Sequence, residues 1–325
     1  MPANSDAIFS ISPQGEKFTI PLENDFKSEF KRIRALADNA RSQQKEVVVV
    51  TGSDFWDSAI ASIIADTKNC HGDYSKFVIW CQNSGLHNYW KIPVFNKGIS
   101  PFSSENFLIS ELISSKVNFS QNLTATFNFE CLSLADCVLV GSQNGRKAEN
   151  APANQTDIED LKNVMKIIGE KISPYCLVLI DFAVVPGTTE LIAYPILKDG
   201  FNVREIETEP LLAHCFKRVT PENHSLINTR NLWRVCAGCN DESRRRVRFF
   251  LKSMLETNNH TLTVLDRPIE SETTSIVYNS YQAAIHTFFR EWSPFAERNG
   301  VDLSKVIDAI KLYPLHSNAI FPHYK

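Results

Sequence analysis

The stretch that decides the fold is Cys176-Leu177-Val178-Leu179-Ile180-Asp181-Phe182-Ala183, followed directly by Val184-Val185-Pro186-Gly187-Thr188-Thr189-Glu190. The first eight residues are almost all apolar. They predict a strand buried on both faces, because strands of a covered parallel sheet have near-continuous hydrophobic sequences. The Pro-Gly pair should end this strand, since proline has no backbone N–H to donate and glycine tolerates tight-turn conformations.

Strands and helices alternate on both sides of this stretch. A β-branched run at 47–50 follows a helical pattern over 24–44. Further strands are predicted at 76–81, 137–140, 176–183, 201–205, 233–237 and 260–265, and helices at 55–66, 105–115, 157–172, 191–197 and 241–255. This alternation predicts an α/β fold with a Rossmann-like, doubly wound parallel sheet and right-handed crossovers.

The pattern changes after Arg267-Pro268. Apolar residues then recur at helical spacing over 271–299, and Pro294 is expected to kink or end this long helix. Gly300 stops it, and a further helix is predicted at 303–312. The predicted domains are an N-terminal extension with one helix (1–45), a Rossmann-like α/β domain (46–266) and a helical domain of the dimerisation type (267–325).

Composition limits the classes of function. The chain has 325 residues, of which 43% are hydrophobic and 22% charged, with a net charge of -3. These values allow a sizeable core and give no general attraction to nucleic acid or to an anionic membrane. The sequence has no basic-then-apolar start and no apolar run long enough to span a membrane. Eight scattered cysteines predict reduced thiols, so the expected location is the cytoplasm.

The opening stretch is similar to the "strand, Ser-Thr-Val, Pro-Gly-Thr" segment of the UDP-glucose/GDP-mannose dehydrogenase family. Other segments resemble that family in the same order over 46–322. They are Asn96-Lys97-Gly98-Ile99-Ser100-Pro101, Ala135-Asp136-Cys137-Val138-Leu139-Val140, Arg234-Val235 with Gly238, Glu272 with Asn279, Ala283 and Glu291, Gly300-Val301-Asp302, and His316-Ser317-Asn318. The resemblance implies oxidation of C6 of a nucleotide sugar in two NAD-dependent hydride transfers, through a cysteine thioester, and a central helix used for dimerisation.

The dinucleotide-binding turn of that family is degenerate in this sequence. Gly52 occupies the first glycine position, whereas Asp54 and Asp57 stand at the second and third. A carboxylate repels a pyrophosphate, and its Cβ prevents close approach of the backbone. We therefore expect Asp54 to be a helix N-cap and expect no NAD. Cys81 replaces the ribose-binding acid, and 141–144 replace the family's loop near the nicotinamide.

The catalytic positions implied by the resemblance have changed as well. Ala183 stands where the family has an active-site threonine, and Ser275 stands where it has a lysine. Two residues are candidate remnants, Glu209 in the substrate loop and Asn279 on the long helix. Glu209 is equally well explained as a surface acid. No catalytic residue is therefore assigned.

Two other signals have simple structural explanations. Cys236 and Cys239 form an isolated CxxC, to which His214 and Cys215 are the nearest further candidate ligands. A strand end with a buried cysteine explains this pattern, so no metal site is predicted. The arginine-rich segment 241–248 is typical of the solvent face of a helix that begins with acids, so no nucleic acid is predicted either.

Two hypotheses about function follow. The first is a non-catalytic homologue with a binding, scaffolding or regulatory role in nucleotide-sugar or polysaccharide metabolism. Such a protein would form a homodimer, or pair with a related dehydrogenase, through aromatic residues of the long helix. Alternatively, the same residues could cover the sheet within one chain. These aromatics are Tyr278, Tyr281, Phe288, Phe289 and Trp292.

The second hypothesis is an active NAD-dependent nucleotide-sugar dehydrogenase with a divergent or partner-completed site. The family's catalytic cysteine is expected just beyond 316–318, and the sequence ends at Lys325 without it. On this evidence the resemblance is to a degenerate member that is short at its C-terminus. A third alternative is a different ligand, for example a nucleotide sugar alone, in the modified crevice.

Overall fold

The computed structural model describes residues 8–82, 85–102, 107–141, 155–217, 234–254 and 262–311, except for the side chains of 155–157 and 311. The chain divides into two compact units, Met1–Ser275 and Ile276–Lys325. The division falls inside the long helix, slightly after the predicted domain boundary at 267.

The first unit is built on an eight-stranded sheet in the order β10-β9-β8-β7-β6-β3-β4-β5. A separate antiparallel hairpin, β1-β2, precedes it. The strands are β1 (Phe9–Ile11), β2 (Lys17–Thr19), β3 (Glu46–Thr51), β4 (Lys76–Cys81), β5 (Leu123–Thr126), β6 (Cys137–Val140), β7 (Leu177–Ile180), β8 (Leu211–Lys217), β9 (Arg234–Gly238) and β10 (Leu262–Val264). Every pair in the large sheet is parallel except β8–β9.

Helices cover both faces of this sheet. The first unit contains α1 (Glu23–Ser42), α2 (Phe55–Ala65), α3 (Lys91–Phe95), α4 (Phe107–Ser114), α5 (Gln155–Lys171), α6 (Tyr194–Val203), α7 (Asp241–Met254) and the start of α8 (Pro268–Asn299). One core cluster joins the sheet to α1, α5 and α6, and the other joins it to α2, α4 and α7. The predicted doubly wound, Rossmann-like α/β fold is therefore confirmed.

Strand β3 lies between β4 and β6 and directs the chain to the candidate site. Its valines, 47–50, are completely buried, as expected for a parallel strand covered on both faces. Val48 pairs with Val78 on β4 and with Cys137 on β6. The carboxyl ends of these strands form one edge of the sheet, where ligands of open α/β sheets bind.

In the first unit one predicted strand is wrong, one strand was missed, and one strand pair is not parallel. The predicted strand at 201–205 does not exist, because Phe201 packs in the core as part of α6. Strand β8 was not predicted, although its run from Leu211 to Phe216 is apolar apart from His214. The sheet is also not wholly parallel, because β9 runs antiparallel to β8.

The second unit contains the rest of α8 and α9 (Leu303–Lys311). Helix α8 continues through Pro294 and ends at Asn299, so the proline does not end it. Gly300 follows with φ 63° and stops the helix, as predicted. Over the part of the chain that the structure describes, none of the helices is sufficiently long and apolar to span a membrane.

Candidate functional site

The turn between β3 and α2 is closed by two aspartates at the start of the helix. Gly52 has φ 131°, a conformation that favours glycine. The Asp54 carboxylate accepts a hydrogen bond from the Asp57 N–H at 2.9 Å, and the Asp57 carboxylate accepts one from the Asp54 N–H at 3.1 Å. This reciprocal capping box satisfies N–H groups that otherwise have no partner inside the helix. The predicted N-cap role of Asp54 is confirmed.

The Asp57 side chain occupies the space in front of the turn. It is 5% exposed. A Cβ atom built on Gly52 or on Gly141, the residue after β6, would overlap the Asp57 carboxyl group. The carboxylate therefore lies against both glycines, between the ends of two adjacent strands. The positive end of the α2 dipole is next to a negative charge that belongs to the protein.

Neighbouring side chains hold the turn in place. The Trp80 indole N–H on β4 donates to the Gly52 carbonyl at 3.0 Å. Lys91 donates to the Ser53 carbonyl at 3.3 Å, and its ammonium group lies 4.9 Å from the centre of the Phe102 ring. Burial lowers the pKa of Lys91. Both contacts reach backbone oxygens of the turn, so the turn is restrained from the β4 side.

The end of β4 carries a thiol where a ribose-binding carboxylate is expected. Cys81 is buried, and its Sγ lies 3.7 Å from the Asn128 carbonyl. Burial raises the pKa of the Cys81 thiol well above its ordinary value, and the neighbouring charges of Cys131 and Glu29 raise it further. The thiol is therefore neutral near pH 7 and is a weak hydrogen-bonding group.

The turn after β7 is closed by a carboxylate from a distant part of the chain. Gly187 has φ 91°. The N–H groups of Gly187 and Thr189 donate to the Glu272 carboxylate at 2.5 and 2.8 Å. Glu272, at the start of α8, is fully buried, and burial raises the pKa of its carboxyl group against the opposing effect of these hydrogen bonds. The sequence shows Glu272 only as part of a helix pattern, with no sign of this contact.

A buried polar cluster, comprising Asp181, His214, Arg234, Ser271 and Glu272, lies beside this turn. The His214 ring binds the Ser271 hydroxyl through Nδ1 at 2.7 Å and the Phe182 carbonyl through Nε2 at 3.1 Å. Burial lowers the pKa of His214 to about 4, so the ring is neutral near pH 7.

Asp181 and Arg234 form a buried ion pair within this cluster, with 3.0 Å between Oδ1 and Nη1. Both His214 nitrogens are engaged in hydrogen bonds, so the ring is not available to bind a metal together with Cys236 or Cys239. Within the described ranges no three potential ligands form a metal-binding group. The hydrogen bonds of His214 and the Asp181–Arg234 ion pair connect the segments around β7 and β8 with the start of α8.

The sequence-predicted catalytic positions differ in their exposure to solvent. Ala183 is half-buried. Ser275 is buried and donates its hydroxyl to the Glu272 carbonyl at 2.7 Å, and Asn279 is half-buried further along α8. Glu209 is exposed and accepts hydrogen bonds from Lys198 and from the Tyr194 hydroxyl, both on α6.

The partners of Glu209 explain its charge state. Lys198 and then Tyr194 lower the pKa of this carboxyl group. The geometry of Glu209 is thus that of a surface acid paired to a neighbouring helix. Two further predicted segments, 142–144 and 316–318, lie outside the described residues.

Comparison with solved structures identifies the architecture. The chain is similar to NDP-N-acetyl-D-galactosaminuronic acid dehydrogenase from Methanosarcina mazei Go1, with a TM-score of 0.64 and 21% identity over 84% of the chain. It is similar to UDP-D-ManNAc dehydrogenase from Pyrococcus horikoshii, with a TM-score of 0.64 and 17% identity over 82%. GDP-mannose dehydrogenase from Pseudomonas aeruginosa gives a TM-score of 0.66 and 16% identity over 85%.

The match covers only part of those proteins. The chain spans 55%, 58% and 60% of their respective lengths. No protein-family model and no curated protein sequence matches it. The arrangement of strands, helices and turns nevertheless agrees with the resemblance seen in the sequence: the chain has a nucleotide-sugar dehydrogenase-like fold.

Proposed function

We propose that this protein is a non-catalytic relative of the nucleotide-sugar dehydrogenases, with a binding, scaffolding or regulatory role in nucleotide-sugar metabolism. The observation that carries the proposal is the buried Asp57 carboxylate held between Gly52 and Gly141. In a Rossmann fold, the turn after the first strand receives the pyrophosphate of the dinucleotide. A fixed negative charge at this place opposes that use of the turn.

The residues at the turn do not fit a dinucleotide. Pyrophosphate binding needs free N–H groups at the helix N-terminus and glycines that let the backbone approach. Here the N–H groups of Asp54 and Asp57 are hydrogen-bonded to each other's carboxylates. Displacing the Asp57 side chain would break the capping box and place two like charges near each other in a poorly solvated site. We therefore propose that the protein does not use NAD.

The catalytic positions support the same proposal. A lysine ammonium can stabilise negative charge that develops on oxygen in a transition state, whereas a serine hydroxyl supplies only a weak dipole. The Ser275 hydroxyl is moreover already engaged with the Glu272 carbonyl. Ala183 supplies no hydroxyl after β7. We assign no chemical step to these residues.

Dinucleotide binding tests the proposal most directly. Titration calorimetry with NAD⁺ and NADH should show no saturable binding to the unaltered protein. The double substitution Asp54→Gly with Asp57→Gly removes both carboxylates and both Cβ atoms, so it should create measurable NADH affinity. The control is Asp54→Asn with Asp57→Asn, which removes the charge and keeps the bulk, and it should bind NADH less well than the glycine variant.

Two results would contradict the proposal. One is micromolar NADH binding by the unaltered protein, and the other is NADH production from a UDP- or GDP-sugar with NAD⁺. Either would favour the alternative of an active dehydrogenase with a divergent or partner-completed site. A thermal-shift screen with UDP- and GDP-sugars, without NAD⁺, tests separately whether a nucleotide sugar alone binds.

We also propose that α8 mediates a homodimer or pairing with a related dehydrogenase. Phe288, Trp292 and Phe295 are 55%, 46% and 48% exposed and pack against one another, with ring centroids 6.5 and 5.6 Å apart. Exposed aromatic groups of this kind mark association surfaces. Light scattering should show a dimer that Trp292→Glu dissociates and that the control Phe119→Glu, at an exposed aromatic of the first unit, leaves intact. A monomeric unaltered protein would refute the homodimer.

A further inference from the structure

A second concave surface lies at the opposite edge of the sheet from Gly52. We call this surface the basic groove. Its volume is about 1270 Å³, and the residues that line it include Arg41, Lys45, Lys68, Tyr175, Phe249 and Lys252. Its floor is formed by the first residues of β3, β4 and β7 and the residues just before β6. Ligands of this fold class bind outside the carboxyl ends of the strands, so the groove is distinct from the nucleotide crevice.

The groove has the opposite charge to the protein as a whole. The chain carries a net charge of -3. Seven Lys and Arg residues and two acidic residues line the groove, which gives a lining charge of 7 - 2 = +5. Three of the cations are neutralised by carboxylates in the pairs Arg41–Asp136, Lys76–Glu46 and Arg245–Glu242.

The other four cations form no ion pair with a carboxylate within the described part of the chain; they are Lys45, Lys68, Arg246 and Lys252. Lys68 lies over the Tyr74 ring, 5.3 Å from its centre. Arg246 donates to the Tyr175 carbonyl at 3.4 Å, and its charge also helps to lower the pKa of Glu242. The four cations come from opposite walls, with Lys45 and Lys68 on the loops after α1 and α2. An excess of unpaired positive charge in a concave surface attracts and concentrates anions.

Two aromatic rings accompany these charges. Tyr175, just before β7, and Phe249, on α7, are 71% and 73% exposed, and both line the groove. Arg245, Phe249 and Lys252 are spaced four and three residues apart and therefore lie on one face of α7. The fold thus places aromatic groups beside the arginine-rich segment, an arrangement not apparent from residues 241–248.

We propose that this groove binds a nucleotide, with its phosphates between Lys45, Lys68, Arg246 and Lys252 and its base stacked on Tyr175 or Phe249. Lysine and arginine are the usual partners of phosphate oxygens, and aromatic rings stack on any nucleobase. The volume is ample for a nucleotide-sized ligand. A free nucleoside triphosphate and a nucleotide within single-stranded DNA or RNA share this chemistry. Single-stranded nucleic acid stacks successive bases on a series of aromatic rings, whereas the groove has two, so we favour the free nucleotide.

The protein contains its own probe for this site. Cys70 lines the groove and is the exposed thiol among the eight cysteines, whereas Cys239 is half-exposed and lies elsewhere. Alkylation of Cys70 by iodoacetamide, followed by peptide mass spectrometry, should slow several-fold with millimolar ATP, while alkylation of glutathione in the same sample stays unchanged. Adenosine alone and inorganic tripolyphosphate should protect Cys70 more weakly than ATP. Raised salt should weaken the protection, because the contacts are largely electrostatic.

Charge-reversal variants test whether ATP binds at the lysines of the basic groove. Lys68→Glu with Lys252→Glu changes two exposed residues, so folding should be preserved. ATP affinity should fall by roughly tenfold or more through the loss of two phosphate contacts. Lys166→Glu, at an exposed lysine of α5, is the control and should leave the affinity unchanged.

Three results would overturn the proposal. They are an unchanged Cys70 rate with ATP, protection by tripolyphosphate equal to that by ATP, and protection by a single-stranded oligonucleotide at concentrations where ATP has no effect. Because the groove lies at the other edge of the sheet, none of these results bears on the proposed loss of NAD-dependent catalysis.

Discussion

Two turns at the carboxyl edge of the sheet are each closed by a carboxylate, but the carboxylates come from different parts of the chain. After β3, the turn at Gly52 is closed by Asp54 and Asp57, the N-cap and third residue of the helix that follows it. After β7, the turn at Gly187 is closed by Glu272, which lies 85 residues later in the chain. In both, a carboxylate of the protein accepts hydrogen bonds from backbone N–H groups near the start of a helix.

The difference concerns what each carboxylate stabilises. Asp54 and Asp57 are local caps, so their loss affects mainly the start of α2. Glu272 joins the β7 turn to α8, and His214 and Ser271 add a second connection beside it. A local cap can be replaced by water at modest cost, whereas a buried long-range carboxylate leaves unsatisfied donors in the core.

The largest expected effect comes from Glu272→Ala. It leaves the buried N–H groups of Gly187 and Thr189 without an acceptor, so the free energy of unfolding should fall by about 4 kcal/mol. Chemical denaturation measures this change, and Glu297→Ala, at an exposed residue of the same helix, should have little effect. A loss below about 1 kcal/mol would show that the two turns are equivalent.

Acidification should destabilise the β7 side through His214. The unfolded imidazole takes up a proton near pH 6.5 and the buried one only near pH 4, so this group's contribution to stability falls as the pH falls from 6.5 to 4. The whole shift corresponds to about 3 kcal/mol. The raised pKa of Glu272 acts in the opposite direction.

The variant His214→Gln separates these two contributions. Urea denaturation at several pH values should show a shallower loss of stability between pH 6.5 and 4 for this variant than for the unaltered protein. Parallel curves for the two proteins would show that His214 is protonated equally in the folded and unfolded states.

The smallest expected effect is that of Asp54→Ala. Loss of an N-cap acceptor costs about 1 kcal/mol. Asp54→Ser keeps an acceptor for the Asp57 N–H and should restore most of that stability. If denaturation instead shows that Asp54→Ala costs as much as Glu272→Ala, the distinction between a local and a long-range carboxylate is lost.

The sequence predicts the fold well wherever the signal is local. The valines of β3 and the aspartate that starts α2 reveal their structure through composition and spacing alone. Local signals also mislead where a sequence fits both the two-residue period of a strand and the 3.6-residue period of a helix. Phe201 and Val203 alternate as in a strand, yet Phe201 is buried one helical turn after Leu197 and Val203 is 85% exposed.

Long-range features of the candidate site were beyond sequence reasoning. The apolar run of β8 fits a buried strand of either direction, so its antiparallel partner β9 could not be predicted from its own residues. The contact of Glu272 with Gly187, and the ion pair of Asp181 with Arg234, join residues that nothing in their local sequence connects. Only the assembled sheet brings them together.

The position of β3 in the sheet has a consequence for how the chain acquires its structure. Val48 must pair with Cys137, a residue 137 - 48 = 89 positions later. Until that segment has been synthesised, the valine run has an open hydrogen-bonding edge, and its nearest charged residues, Lys45 and Glu46, lie at its start only. We therefore expect slow folding, as for other high-contact-order topologies, and a need for protection of the nascent β3 segment on the ribosome.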